Sequence, residues 1–410
     1  MKFNFIFLTL YLGLLYFEPQ QFVSFLEKIR ITYLFGLFGL VWGFISSPTY
    51  IKQNLFKSKL FILISAFILL NIFSLLFSNF PIVDQYDELF KAFSLTLIII
   101  FFIRSERDLK KFYWLLIIFT TLNAGFTIHY YIRGMLPTRM LSYFGSLGQS
   151  GSNEFALLML QFIPFSVLLV QDKYRTKNEK LFMIFSFLIL LYCLTRTGSR
   201  AGFLGLIIIM ITITLFGYLK PKYLVFVIIL LVFVFSKSPS SYFTRAFTSF
   251  SEETYEEDSN ITSRFEQYRT ALEVVKKYPL FGVGMNNYQK YIYLNLSDYS
   301  VDQKIYQVHN AYISIAAENG ILALLLFIIL IVYMIYKFGE YKKKLTQENS
   351  TNLVSLFFGA SQVSLVAYAW MAMTLGVQFQ RVFYIMIALA ISAPLVIPEL
   401  IDDQLSTESY

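Results

Sequence analysis

Residues 310–336 read NAYISIAAENGILALLLFIILIVYMIY, and Glu318 is the only charged side chain in that run. A helix crossing the hydrocarbon core of a bilayer needs roughly 17–25 mostly apolar residues, and this stretch supplies them. Working outward from it, the same criterion predicts spans near 3–17, 31–47, 60–78, 89–103, 112–132, 154–170, 181–195, 200–219, 222–236, 353–375 and 380–397. The predicted fold class is an all-α integral membrane protein of about 12 transmembrane helices. The run Phe3–Phe17 is read as a retained first helix. Glu18, Pro19, Gln20 and Gln21 follow it and offer no small-residue cleavage site.

Composition agrees. Of 410 residues, 57% are hydrophobic and 15% charged, against about 25% charged in ordinary soluble chains. Mean hydropathy is +0.59. Phe (45) and Tyr (29) are abundant, and Tyr suits the headgroup interface. The net charge of +8 therefore needs no nucleic-acid partner, because Lys and Arg in a membrane protein collect in cytoplasmic loops. Cys193 is the single cysteine and His129 and His309 the two histidines. An intrachain disulfide is excluded, and neither a thiolate cluster nor a His-rich metal site is expected. No cofactor is expected.

Charge alternates between successive connections. Lys2, Lys52, Lys57 and Lys59 fall on one side, with Arg104, Arg107, Lys110 and Lys111, then Lys173, Arg175, Lys177 and Lys180, then Lys220, Lys222, Lys337, Lys342, Lys343 and Lys344. The intervening connections are poor in Lys, and one carries Asp84, Asp87 and Glu88. The positive-inside rule puts both termini in the cytoplasm. The chain then divides into an N-terminal bundle of about nine helices (1–236), a large extracytoplasmic loop (237–309), C-terminal helices (310–397) and a cytoplasmic tail (398–410). The loop far exceeds ordinary connection length, which marks it as functional. Its acidic stretch, Glu252, Glu253, Glu256, Glu257 and Asp258, reads as a solvated tip. An amphipathic helix follows near 263–278. Ser263 with Glu266 reads as a capping box. Phe265, Tyr268, Leu272 and Val275 form an apolar face, and Pro279 ends the helix. Such a helix lies on the membrane or across the mouth of the bundle.

The outer connections are poor in Lys yet hold Arg133, Arg139, Arg196, Arg200, Arg245, Arg264, Arg269 and Arg381. Snorkelling to headgroups is the ordinary explanation for any one of them. As a set they suit an anion, since arginine binds phosphate bidentately and stays charged. Arg200, Arg264, His309 with Asn310, and Arg381 all fall near predicted helix N-termini. A cation there opposes the helix dipole, and a bound anion would reverse that cost. Lipid-linked phosphate or pyrophosphate is the anion that fits a membrane surface. His309 precedes a helix cap, and nearby arginines would hold its imidazole neutral, fit to take a proton from a hydroxyl. The alternative for His309 is a hydrogen-bonded cap residue. His129 reads as a tyrosine-flanked interfacial histidine.

Three stretches then carry a resemblance. They are Thr197-Gly198-Ser199-Arg200-Ala201-Gly202; Ser263 to Leu272 followed by Tyr278-Pro279-Leu280-Phe281-Gly282-Val283-Gly284; and His309-Asn310-Ala311-Tyr312 running on to Glu318-Asn319-Gly320. In this order, with a large loop before the third, they resemble the O-antigen ligase and polymerase superfamily of bacterial membrane glycosyltransferases. The motifs cover roughly residues 190–340. The resemblance implies transfer of a glycan from undecaprenyl pyrophosphate to an acceptor hydroxyl on the outer face of the bacterial inner membrane, with inversion and without a metal. Lipid A–core is the acceptor of ligases and a second lipid-linked repeat unit that of polymerases, for which a chain-length regulator is a further partner. The family's two arginines and one histidine match Arg200, Arg264 and His309. Tyr268 stands where Trp is usual. Arg196, Ser199, Tyr268, Arg269, Asn310 and Arg381 join them as candidate pyrophosphate- or glycan-binding residues, Arg381 on physical grounds alone. Ligase is the first expectation and polymerase the second. A lipid-linked oligosaccharide flippase, from another class, should carry ionisable groups near mid-membrane. Glu318, about 13 Å into the tenth predicted span, is the best such group. A purely structural membrane protein fits the motif trio least.

Overall fold

The computed structural model describes residues 2–77, 86–144, 151–172, 175–219, 259–295, 308–347, 353–377 and 380–400. Every long regular element among them is an α-helix: α1 (Lys2–Phe17), α2 (Ser24–Lys28), α3 (Ile31–Ser46), α4 (Thr49–Lys57), α5 (Lys59–Leu76), α6 (Tyr86–Phe102), α7 (Glu106–Ile132), α8 (Ser152–Leu169), α9 (Lys177–Arg196), α10 (Arg200–Leu215), α11 (Ser259–Lys277), α12 (Tyr288–Asn295), α13 (Ala311–Asn319), α14 (Ile321–Gln347), α15 (Leu353–Met371) and α16 (Arg381–Val396).

Among the described residues six helices are long and apolar enough to cross a membrane: α5, α7, α8, α9, α14 and α15. The α3–α4 pair passes the same test jointly but bends by 105° between its halves. Shorter apolar helices occupy Phe3–Phe17, Leu89–Phe102, Arg200–Leu215 and Arg381–Val396. The expected span at 222–236 and the acidic stretch 252–258 lie outside the described residues.

Apolar side chains cover these helices all round, as a lipid-embedded helix requires. Leu34, Leu37 and Ile45 of α3 and Leu181, Phe185 and Leu188 of α9 stay exposed. The α8, α15 and α16 helices are enclosed at the centre, with α8 packed on α9 and α15, α14 on α15, and α6 on α16. Hydrocarbon supplies no hydrophobic drive between helices, so polar contacts help hold them together. Tyr16 and Thr120 hydroxyls lie 3.0 Å apart, Tyr113 and Ser361 3.1 Å, and Thr121 and Ser186 2.8 Å.

Two expectations are corrected. The stretch 310–336 is two helices, α13 and α14, broken at Gly320 (φ +87°). Asn310 sits by the C-terminal end of α15, since Ala311 N donates to Ala372 O at 2.8 Å. Asn319 at the other end of α13 donates to Ser74, near the C-terminus of α5, at 3.0 Å. The α13 helix therefore runs across the ends of the spanning helices, and Glu318 is not deep within a span. The loop helix, α11, begins at Ser259, so Ser263 lies inside it rather than capping it. Nothing in Asn260-Ile261-Thr262 stops a helix, so the turn before the capping-box signal also winds up.

Candidate functional site

Arg200 is set by the turn between α9 and α10. Thr197 Oγ1 donates to Leu194 O (2.7 Å) and accepts from Ser199 N (3.2 Å), and Gly198 takes φ +62° to reverse the chain. Ser199 Oγ accepts from Gly202 N at 3.1 Å and caps α10. Arg200 is thus the first residue of that helix, as expected. Its neighbours are tied from two directions. Arg139 Nε donates to Thr197 O (3.0 Å) and Met140 N to Arg196 O (3.0 Å). From α15, Trp370 Nε1 donates to Ala201 O (3.0 Å).

The same end of α15 holds the segment after His309. Asn310 Oδ1 accepts from Tyr312 N (3.0 Å) and Ile313 N (3.1 Å), capping α13. Ala311 N donates to Ala372 O (2.8 Å), and Tyr312 Oη donates to Ala369 O (2.9 Å). Within four residues, 369–372, α15 therefore binds the backbone next to Arg200 and the helix start next to His309.

Arg264 arrives on α11, whose buried face is Ala271 and Val274 flanked by Tyr268, Val275 and Tyr278. That face packs on Val283, Tyr288, Tyr291, Ile292, Val308 and Ala317. Phe265 and Leu272, expected on one apolar face with Tyr268 and Val275, are exposed while Tyr268 and Val275 pack inward. Tyr268 Oη donates to His309 O at 3.0 Å and joins the two elements at the site. Arg264 sits in the second turn of α11, so the expected N-terminal position does not apply to it. Its charge acts on His309 nonetheless. Burial pushes the His309 imidazole below its usual value, and Arg264 pushes it further the same way. Burial raises the Tyr268 phenol, against the pull of Arg264.

A backbone interlock fixes how α11 meets α13. Val283 N donates to Ala317 O (3.0 Å), Gly284 N to Glu318 O (2.8 Å), and Ile321 N to Pro279 O (2.9 Å). The chains approach so closely that side chains are excluded. A Cβ on Gly282 (φ +63°) would lie 2.5 Å from Ala317 O, and one on Gly320 would be 2.9 Å from Phe281 N. Glycine alone fits both the angle and the space. The Pro279–Gly284 and Glu318–Gly320 motifs thus clamp one another and hold Arg264 and His309 in register.

Glu318, next to this clamp, is buried. It accepts from the backbone at Asn286 and Tyr288 and bonds the Ser314 side chain, and its Oε2 has no partner among the described residues. Burial raises it to about 7.

The other expected residues are placed as follows. Arg196 lies over the Tyr192 ring, 5.3 Å from its centroid. The Ser199 hydroxyl is occupied by its cap. Arg269 points away, with 85% of its side chain exposed and Glu273 3.8 Å away. Arg381 is the first residue of α16, but its guanidinium lies 3.4 Å from Glu18 in a separate cavity. Among the described residues no three His, Cys, Asp or Glu side chains gather as a metal site. The sequence reading named Arg139 among the outer arginines and Tyr312 within a motif but gave neither a place among the candidate site residues, and it missed Trp370. The signal was available for Trp370, an amphipathic ring near the end of a predicted span.

Residues 185–328 match the family model described as O-antigen ligase. That stretch is similar to an O-antigen ligase domain. The match runs from within α9 to the first turns of α14. The matched stretch therefore contains Arg200, Arg264, His309 and both halves of the glycine clamp. Arg139 and α15 with Trp370 lie outside the matched residues and support the site from other parts of the bundle; Arg381 also lies outside them, in its separate cavity. The apolar helices suit a membrane protein, and the match points to similarity with the ligase- and polymerase-type glycosyltransferases. No curated protein matches the chain.

Proposed function

We propose that the chain transfers a glycan from polyprenyl pyrophosphate, undecaprenyl pyrophosphate in bacteria, to an acceptor hydroxyl. The observation that carries this reading is the bond from Tyr268 Oη to His309 O at 3.0 Å, which joins the helix of Arg264 to a half-buried His309. An imidazole held below its usual pKa is neutral at physiological pH, the form a general base needs. In the proposed step the acceptor oxygen attacks the anomeric carbon from the face opposite the leaving group, which inverts it. The bond from that carbon to the pyrophosphate oxygen breaks, the electron pair leaves with the pyrophosphate, and His309 takes the hydroxyl proton. Arg200 and Arg264 stabilise the charge that grows on the pyrophosphate. A leaving group so held needs no proton from a carboxylic acid and no metal.

The lysines of α5, α9 and α14 gather at the opposite ends of their helices from Ser74, Arg196 and Ile321. Under the positive-inside rule that lysine-rich end faces the cytoplasm. The site then faces outward from the inner membrane, both termini are cytoplasmic, and the proposed topology is one of about twelve spans. The division into an N-terminal bundle, outer loop, C-terminal helices and tail follows that topology. Exposed Phe265 and Leu272 would rest α11 on the membrane surface.

Lipid A–core is the proposed acceptor, which makes the chain a ligase. The test incubates purified protein with lipid-linked donor, with and without lipid A–core. Transfer only with core present supports the ligase. Chain growth on donor alone replaces it with a polymerase, and donor movement across proteoliposomes without transfer replaces both with a flippase.

A further inference from the structure

Arg200 opens α10 and His309 precedes α13, so the two stand on separate helices. In the proposed transfer one holds the pyrophosphate and the other takes the acceptor proton, on opposite sides of the anomeric carbon. Their separation has to be set by an element that grips both helix starts. The last turn of α15 does so. On the Arg200 side the grip is Trp370, whose indole Nε1 donates to Ala201 O at 3.0 Å. Gly205, one turn further along α10, lets the ring close on the helix. A Cβ at Gly205 would lie 3.3 Å from Trp370 Cδ1 and 2.6 Å from Leu160 Cδ1. On the His309 side the grip is Tyr312, whose Oη donates to Ala369 O at 2.9 Å. The backbone bond from Ala311 N to Ala372 O, 2.8 Å, lies beside it.

Ala369 and Trp370 are consecutive, so both side-chain attachments fall within one helical turn, a rise of about 5.4 Å. That turn is itself held. Tyr368 is fully buried, its Oη donates to Val377 O at 2.8 Å, and its ring stacks on Phe383 of α16 with centroids 4.7 Å apart. The chain leaving α15 thus folds back over the turn that carries the two grips. Trp370 and Tyr368 lie outside the matched residues 185–328.

We infer that the last turn of α15 sets the spacing of Arg200 and His309, with Trp370 and Tyr312 as positioning residues for the transfer. The inference rests on the glycan-transfer reading. Trp370 acts through the start of α10 and Tyr312 through the start of α13. Releasing one grip lets its helix start drift relative to the other, and a misplacement of about 1 Å costs on the order of 100-fold in rate. Contacts to the donor away from the reacting centre stay in place, so the loss falls on kcat more than on KM.

The test measures kcat and donor KM for full-length protein carrying Trp370→Phe, Tyr312→Phe or both, normalised to folded protein recovered from membranes. Each change keeps a ring and removes the hydrogen-bond donor. In each single variant kcat should fall at least about fivefold, with KM within about threefold of wild type. Two grips on one spacing are not independent, so the double variant should fall no more than about twofold below the worse single one. Trp42→Phe is the control. Its indole also donates a hydrogen bond, to Asn4 Oδ1 at 3.3 Å, at an exposed position, and kcat should stay within about twofold. Tyr312→Phe decides by its own kcat if Trp370→Phe does not fold. Single variants near the wild-type kcat, a double variant whose loss is the product of the two single losses, or an equal loss in Trp42→Phe overturns the inference. Arg200→Ala separates this from the glycan-transfer reading. Transfer that survives in Arg200→Ala refutes that reading, whereas a loss there beside unaffected Trp370→Phe and Tyr312→Phe refutes only the role of α15.

Discussion

Substituting Gly282 by alanine tests whether the glycine clamp sets the site. The added Cβ would meet Ala317 O at 2.5 Å, where ordinary contact begins at 3.4 Å. The α11–α13 junction must open by about 1 Å to admit it. The left-handed backbone at Gly282 (φ +63°) costs an L-residue about 1–2 kcal/mol more. Opening the junction moves Arg264 relative to His309, and a misplacement of about 1 Å costs on the order of 100-fold in rate. Gly282→Ala should therefore insert into the membrane and lose about two orders of magnitude in transfer. The assay is initial-rate glycan transfer from lipid-linked donor, normalised to protein extracted from membranes. Gly125→Ala is the control, because a Cβ there meets nothing within 4 Å; it should stay within about twofold of wild type. Near-normal transfer by Gly282→Ala would refute the claim that the clamp positions the catalytic pair.

Three further outcomes follow from the geometry. Burial first, and then the Arg264 charge, hold the His309 pKa down, so Arg264→Gln should raise it. The acid limb of kcat/KM, where the base becomes protonated, then moves to higher pH; an unmoved limb in a variant with residual activity would separate the two residues. Glu318 is raised from 4.5 to about 7 by burial. The folded state therefore holds its proton longer than the unfolded chain, and stability falls as pH rises from about 4.5 to about 7, by on the order of 3 kcal/mol at most. Glu318→Gln should flatten the Tm against pH curve across that window, and an unchanged slope would show that Glu318 does not titrate there. Arg269→Ala removes an exposed pair 3.8 Å apart, worth well under about 1 kcal/mol; transfer should stay within about twofold, and a large loss would return Arg269 to the site.

The parts of the site legible in the sequence were those set by local rules. Ser199 and Asn310 are cap residues, and each fixes a helix start one residue on, so the settings of Arg200 and His309 could be read from a few neighbours. Arg264 was recognisable, but its place on the helix was not. The Ser263–Glu266 spacing is a valid capping pattern, yet the chain before it is helical too. The break at Gly320 was hidden for a tertiary reason. A lone glycine in an apolar run is compatible with a continuous helix, and what ends α13 there is the close approach of Leu280 and Phe281 from a distant motif. Arg381 was grouped with the other outer arginines because sequence cannot show that Glu18, 363 residues earlier, draws it to another cavity. Buried polar contacts between helices, such as Tyr113 with Ser361, left no mark in a hydropathy pattern.

The central claim is that His309 is the base in a transfer driven by departure of an arginine-held pyrophosphate. The most direct measurement compares His309→Gln with wild type in two assays on the same purified protein, binding of lipid-linked donor and transfer to acceptor. The account predicts donor binding within about threefold of wild type and transfer reduced at least about 100-fold, in the range expected for losing a general base. Transfer close to the wild-type rate, or a loss of donor binding large enough to account for the whole defect, would contradict it.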